Sequence, residues 1–281
     1  MRAIGQPRQI ASSTLIHVIL LSYTLIALWP IFLIVINAFK TRKAIFRDPM
    51  GLPDTASFSL DGFSKVLARS DFELYFGNSL TVTVVTLVIV LLTGAMAAWA
   101  LAGYRFRGNT LLGLYLAIGI MVPIRLGSVS ILQLIVDLNL VNTLTALILV
   151  YSAQSLPLAI FILAEFMHQI PKDLVEAARC DGVSEYKIFY AVILPLIRPA
   201  IATVGVFTMV PVWNDLWFPL ILAPGDNTQT ITLGVQQFIG QYVTDWNAVL
   251  AALTLAIVPI LLLYLLFSRQ LIRGLTSGAV K

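Results

Sequence analysis

Of 281 residues, 59% are apolar and 11% charged, and the mean hydropathy is +0.91. That balance excludes an ordinary soluble domain and predicts an integral membrane protein. The formal net charge of +4 comes without a soluble basic patch interleaved with aromatics, which argues against nucleic acid as a partner.

Six apolar runs, at about 15–37, 80–103, 111–136, 143–164, 200–223 and 248–267, each approach the length a helix needs to cross hydrocarbon. Lipid cannot satisfy backbone N–H and C=O groups, so these runs are expected to be helices; their continuous, non-alternating hydrophobicity excludes a β-barrel. The expected fold is all-α, one transmembrane domain over residues 1–281. Arg2 and Arg8 precede the first run, but its length, Trp29 and Pro30 argue against a secretory signal and for an uncleaved helix.

The interval 38–78 carries Pro49, Gly51, Pro53 and Gly62, and its stretch FSLDGFSKVLARSDFELYF predicts one or two short amphipathic helices against the membrane face. The tight turns GYRFRGN and LNLVNT predict that spans two and three, and three and four, are antiparallel neighbours. Prolines fall within five spans (Pro30, Pro123, Pro157, Pro211 with Pro219, and Pro259), each freeing a carbonyl and favouring a kink around a cavity.

Arg125 lies near the middle of span three, and WNDLWFP places Asn214 and Asp215 inside span five. Charges at such depth face protein or water. Several readings stay open for them: they line a solute pathway, Arg125 snorkels toward the interface, or they pair structurally, Arg125 with Asp137 or with Asp215. Trp213, Asn214, Asp215 and Trp217, with Arg125, are the candidate pathway residues, because aromatic faces and hydrogen-bonding side chains suit a sugar.

Between spans four and five, residues 165–199 form a polar loop containing DLVEAARCDGVSEYKIFYAVILPLIRP (173–199). Leu174, Ala177 and Ala178 stand at i, i+3, i+4, and Gly182 stands where a helix C-cap belongs. Ser184 is the candidate N-cap of a second helix that puts Ile188, Phe189, Val192 and Ile193 on one face before Pro195 and Pro199. A further loop, 225–247, lacks lysine and arginine, is rich in Gln, Thr and Gly, and is long for a connector.

Six spans put both termini on one side. That side collects eleven basic residues (Arg2, Arg8, Arg105, Arg107, Lys172, Arg179, Lys187, Arg198, Arg269, Arg273, Lys281) against six in the interval 38–78, which favours cytoplasmic termini. Cys180 is the single cysteine, excluding an intrachain disulfide. No glycine precedes a lysine, so a P-loop is missing, as are metalloprotease, hydrolase and Cys/His metal motifs. His17 and His168 read as packed or solvated.

Glu176, Ala177, Ala178, Gly182, Leu194 and Pro195 stand in the register E-A-A, three residues, G, nine residues, I, one residue, L-P, with Val192 at the isoleucine position. The stretch resembles the EAA loop of binding-protein-dependent ABC importer permeases. NSLTVTVVTLVIVLLTGAMAAWALAGYRFRG, WNDLWFPL and the ending LIRGLTSGAVK look like carbohydrate-type permeases related to the smaller membrane subunit of the maltose importer.

The resemblance implies a multi-pass permease of the bacterial cytoplasmic membrane, not an enzyme. Glu176, Ala177, Ala178, Asp181 and Gly182 would form the coupling helix docked on a cytosolic ABC ATPase dimer, which binds ATP and Mg; this chain would bind no cofactor itself. It further implies a second permease subunit, a sugar or glycoside substrate, and a solute-binding protein that Gln236 and Gln237 in the outer loop would contact. Rival readings are an ion-coupled secondary transporter using Arg125 and Asp215, an importer of an anionic sugar derivative, and a membrane-embedded enzyme, for which a convergent pair of histidines or carboxylates is lacking.

Overall fold

The computed structural model describes residues 7–69, 71–239 and 244–277. Among these the structure is helical, with two isolated bridges, Lys40 to Phe58 and Ile239 to Thr244, in place of strands. The helices are α1 (Pro7–Ala38), α2 (Arg42–Arg47), α3 (Asp61–Arg69), α4 (Phe72–Gly103), α5 (Asn109–Met121), α6 (Ser128–Asp137) and α7 (Leu144–His168), then α8 (Lys172–Cys180), α9 (Glu185–Ile188), α10 (Leu194–Leu196), α11 (Arg198–Asn214), α12 (Trp217–Leu222), α13 (Ile231–Val235) and α14 (Trp246–Ser277).

Among the described residues three helices, Thr14–Ala38, Phe72–Gly103 and Leu144–His168, are long and apolar enough to cross a membrane, and counting each sharply bent pair as one span raises the number to five. The sixth expected span begins in the shorter apolar segment Trp246–Leu262. Arg2 and Lys281, counted in the charge bias, lie outside the described residues, as do the side chains of Arg8, Arg69, Arg269 and Arg273.

The described chain falls into two compact units, Met1–Ser70 with Val235–Ile257, and Asp71–Gly234 with Val258–Lys281. In the first, α1 is apolar around its whole circumference and leaves its side chains from Thr14 to Trp29 exposed, as a helix meeting lipid or another chain would. Of the short helices expected in FSLDGFSKVLARSDFELYF, α3 forms, whereas FELYF opens the long α4, and α2 lies ahead of that stretch. The buried Lys40 donates from Nζ to the Asp48 carbonyl at 2.8 Å, and Lys65 pairs with Asp245 at 2.7 Å.

In the second unit α4 packs chiefly on α7. Small residues allow the close approach: Ala95 and Ala98 on one helix and Ala159 on the other are almost fully buried beside Leu163. A second cluster joins Val82, Ile135, Leu147, Tyr151, Val212, Phe218 and Leu222. α5 lies mainly on α7 and makes few contacts with α4, so the GYRFRGN turn does not produce the expected α4–α5 pairing; both helices pack on α7 instead.

The third and fifth spans are not the continuous helices that their hydropathy suggests. Val122, preceding Pro123, is extended (φ −78°, ψ 119°), since the proline ring disfavours helical backbone before it, and the chain turns by 86° between Asn109–Met121 and Ile124–Asp137. Span five ends as α11 at Asn214, and Asp215 is extended (φ −72°, ψ 135°). Pro219 has no N–H to give the Asp215 carbonyl, which the Thr232 hydroxyl reaches instead at 2.6 Å.

Candidate coupling loop and polar cavity

α8 ends in a Schellman turn: the Val183 N–H donates to the Ala178 carbonyl and the Gly182 N–H to that of Arg179, each at 3.0 Å, with Gly182 left-handed at φ +73°. Val183 and Ala178 belong to the same apolar cluster, completing the motif. Val175 and Ala178 face that cluster, whereas Leu174 and Ala177 point outward with Glu176 and Asp181. The single stripe of Leu174, Ala177 and Ala178 expected from spacing is therefore divided between an inner and an outer face, because the 3.6-residue turn sets Val175 and Ala178 together.

Ser184 is extended just before α9, at the expected N-cap, but its hydroxyl makes no cap hydrogen bond. Ile188 and Ile193 are fully buried, with Phe189 and Val192 packed beside them. Phe189–Ile193 widens into a π turn before Pro195, which cannot donate to the Ala191 carbonyl. The helix then bends by 76° at Ile197 into α11.

A clamp ties α8, α9 and the end of α4 together. The Arg179 guanidinium donates from Nε to Glu185 Oε1 at 2.6 Å and from a terminal nitrogen to Oε2 at 3.2 Å; the Tyr104 hydroxyl also donates to Oε2, and Arg179 stacks 5.9 Å from the Tyr104 ring. The Arg179 and Tyr104 hydrogen bonds hold the Glu185 carboxyl below its usual range, while partial burial and then Glu185 raise the Tyr104 phenol. A depressed carboxylate pKa stabilises above the ordinary glutamate range, and that contribution is lost as pH falls through the depressed value. Hydrogen exchange over residues 172–188, corrected for intrinsic rates, is expected to stay slow down to that range and to accelerate below it. Glu185→Gln should speed exchange at neutral pH by no more than about fivefold, since exposed ion pairs are worth about 1 kcal/mol or less. Beside the clamp lies a cavity of about 250 Å³ lined by Trp99, Arg105, His168, Lys172, Glu176 and Arg179.

The other site forms where the chain breaks at Pro123 and Asp215. Asp215 Oδ1 accepts from Arg125 at 3.2 Å, and Oδ2 accepts from the Tyr151 hydroxyl at 2.9 Å and the Phe218 N–H at 3.0 Å. The Asp215 side chain is 8% exposed and that of Arg125 is 68% exposed. Trp217 donates from its indole to the Ser128 hydroxyl at 2.8 Å, and Ser128 donates to the Arg125 carbonyl at 2.6 Å. These contacts stitch two elbows together around a cavity of about 270 Å³ lined by Arg125, Tyr151, Gln154, Ser155, Asn214 and Asp215.

Arg125 thus pairs with Asp215, and the alternative Asp137, one helix farther along, is not its partner. Asn214 lines the cavity, but neither tryptophan does: Trp217 is tied to Ser128, and Trp213 is 3% exposed and meets Phe76 edge-on at 5.8 Å. Neighbouring helical positions point to different faces, so WNDLW divides between core and cavity. Tyr151, Gln154 and Ser155 escaped the sequence reading; a tyrosine followed by polar residues inside the apolar span YSAQSL was the available signal. Gln236 and Gln237 are exposed in the short turn Gln236–Phe238, while residues 240–243 of the outer loop lie outside the described residues.

The family model for the binding-protein-dependent transport system inner membrane component matches residues 90–277. The chain belongs to that family. Among inner membrane components of this kind, it is 35% identical over 260 residues to a putative ABC transporter permease of a Caldicellulosiruptor species, covering 92% of this chain and 94% of the relative. It is 33% identical over 258 residues to the arabinooligosaccharides transport system permease AraQ of Halalkalibacterium halodurans, covering 91% and 92%. Its fold matches, with a TM-score of 0.79 over 95% of this chain and 99% of the other, a chain of a bacterial ABC transporter involved in the import of the acidic polysaccharide alginate. At 20% identity that likeness concerns the fold.

Proposed function

We propose that this family member is one of two membrane-spanning subunits of an ATP-driven importer that moves a sugar or glycoside delivered by a solute-binding protein. In this reading six spans cross the cytoplasmic membrane, with both termini in the cytoplasm. α8 is the coupling helix, and a separate ATPase dimer carries ATP and Mg. The observation that carries the proposal is the Schellman-closed α8, which leaves Glu176, Ala177 and Asp181 exposed at the EAA spacing inside the matched region. A small-residue surface flanked by oriented acidic charges suits insertion into a partner's cleft. The carbohydrate assignment draws on the named substrate of the AraQ relative.

Coupling requires that loaded binding protein and ATP favour the same conformational state, because a ligand shifts an equilibrium only by its differential affinity. The test is uptake of labelled arabinotriose into proteoliposomes holding the complete complex. Uptake that needs ATP, the binding protein and the ATPase is expected, with a crosslink from Gln237 to the binding protein in the ATP-bound state. Uptake driven by an ion gradient without the ATPase would instead establish a secondary transporter, and no Gln237 contact in any state would remove the outer loop from docking.

A further inference from the structure

We infer that the groove beside the α11 break is a sugar subsite of this chain and that it selects an uncharged ring. The inference rests on the importer reading above. The cavity holding Arg125 shares Gln154, Ser155 and Pro211 with an adjoining cavity of about 160 Å³ that Leu158, Ile162, Phe207 and Thr208 also line. One end therefore offers hydrogen-bonding groups from Gln154, Asn214 and Arg125. The other offers an apolar floor on which the Phe207 ring is 52% exposed. A sugar ring has the matching division, hydroxyls on its edge and C–H groups on its face.

The charge state of the groove decides which sugar fits. Arg125 and Asp215 are the ionisable pair lining it, apart from the Tyr151 phenol, and their charges sum to zero. Asp215 Oδ1 has Arg125 as its hydrogen-bond donor, while Oδ2 is held by Tyr151 and Phe218. A uronate would draw the guanidinium toward itself and leave the buried Asp215 carboxylate short of its cation beside a second negative charge. A neutral hydroxyl instead accepts from the guanidinium N–H groups that face the groove, and the ion pair stays intact.

The test uses the complete complex in nanodiscs, labelled with a diazirine-bearing neutral trisaccharide or with the same trisaccharide ending in a uronic acid, and mapped by peptide mass spectrometry. The neutral probe is expected to label peptides containing Gln154 and Phe207–Asn214 at least about tenfold more than the uronate, the discrimination of one desolvated charge. Phe207→Ala should lower neutral labelling by about tenfold, and Asp215→Asn, which leaves Arg125 uncompensated, should bring the two probes to within about twofold. Where Asp215→Asn fails to assemble, Gln154→Lys at the exposed rim adds a cation without touching the ion pair and should raise uronate labelling by about tenfold. Equal labelling of the native groove by both probes overturns the inference. Labelling confined to the companion permease while ATP-dependent uptake continues overturns it too, and leaves the importer reading standing; loss of ATP-dependent uptake in the native complex would remove that reading itself.

Discussion

Replacing Gly182 by valine is expected to lower uptake at least about tenfold while the protein stays in the membrane at its normal level. Gly182 sits at φ +73°, and a Cβ added there meets nothing within 4 Å. The penalty is therefore backbone strain rather than crowding, about 1–2 kcal/mol for an ordinary L residue in the left-handed region and more for a β-branched one. Relief of that strain unwinds the turn in which Val183 and Gly182 satisfy the carbonyls of Ala178 and Arg179. Glu176 and Ala177, farther back on the helix, then lose their fixed presentation to the proposed ATPase partner. Gly182→Asn supplies the control, because asparagine tolerates this conformation, and it should retain most of the transport. Glu176→Lys should fail like the valine variant, by reversing the charge proposed to orient docking. Normal uptake by both Gly182→Val and Glu176→Lys would remove α8 from coupling.

Asp215→Ala is expected to destabilise the protein by about 2–4 kcal/mol, because stranding a buried donor costs about 1–3 kcal/mol, while the exposed Arg125 adds little. The substitution leaves Tyr151, which is 3% exposed, without its acceptor, frees the Phe218 N–H at the start of α12, and leaves Arg125 unpaired. Because a folded domain holds only about 5–15 kcal/mol in total, the thermal midpoint of the detergent-purified complex should fall clearly, and membrane abundance with it. Asp215→Asn keeps an acceptor and the side-chain volume, so it should cost less, and Tyr151→Phe should cost about 1 kcal/mol. An unchanged midpoint for Asp215→Ala would show that the elbows are held by apolar packing of Phe218 and Leu222 alone.

Much of the local structure of the loop 165–199 was legible because its determinants are local. Glu176, Ala177, Ala178 and Gly182 specify a short helix and its glycine cap within a few residues, and backbone rules act over that range. Continuous apolar runs likewise announce membrane helices. The same hydropathy misleads at Pro123 and Asp215, where it averages over single residues that break the helix. Pro123 and Pro219 mark both breaks in the sequence, yet neither proline says how far the chain turns or what receives the freed carbonyl.

The sequence by itself determined that this is a helical membrane protein, that the segment after residue 172 forms a capped helix, and that Arg125 and Asp215 must be accommodated away from lipid. Only the tertiary structure decided that these two residues, 90 positions apart, neutralise each other, that Tyr151 and Thr232 complete their surroundings, and that Trp213 is core while Trp217 is tied to Ser128. The physical reason is one of range. Caps and kinks follow from steric and hydrogen-bonding rules within one helical turn, whereas a buried carboxylate takes its partners from whichever helices pack beside it, and α7 is brought there by its packing on α4, where Gly94 faces Ala159, far along the chain from either charge.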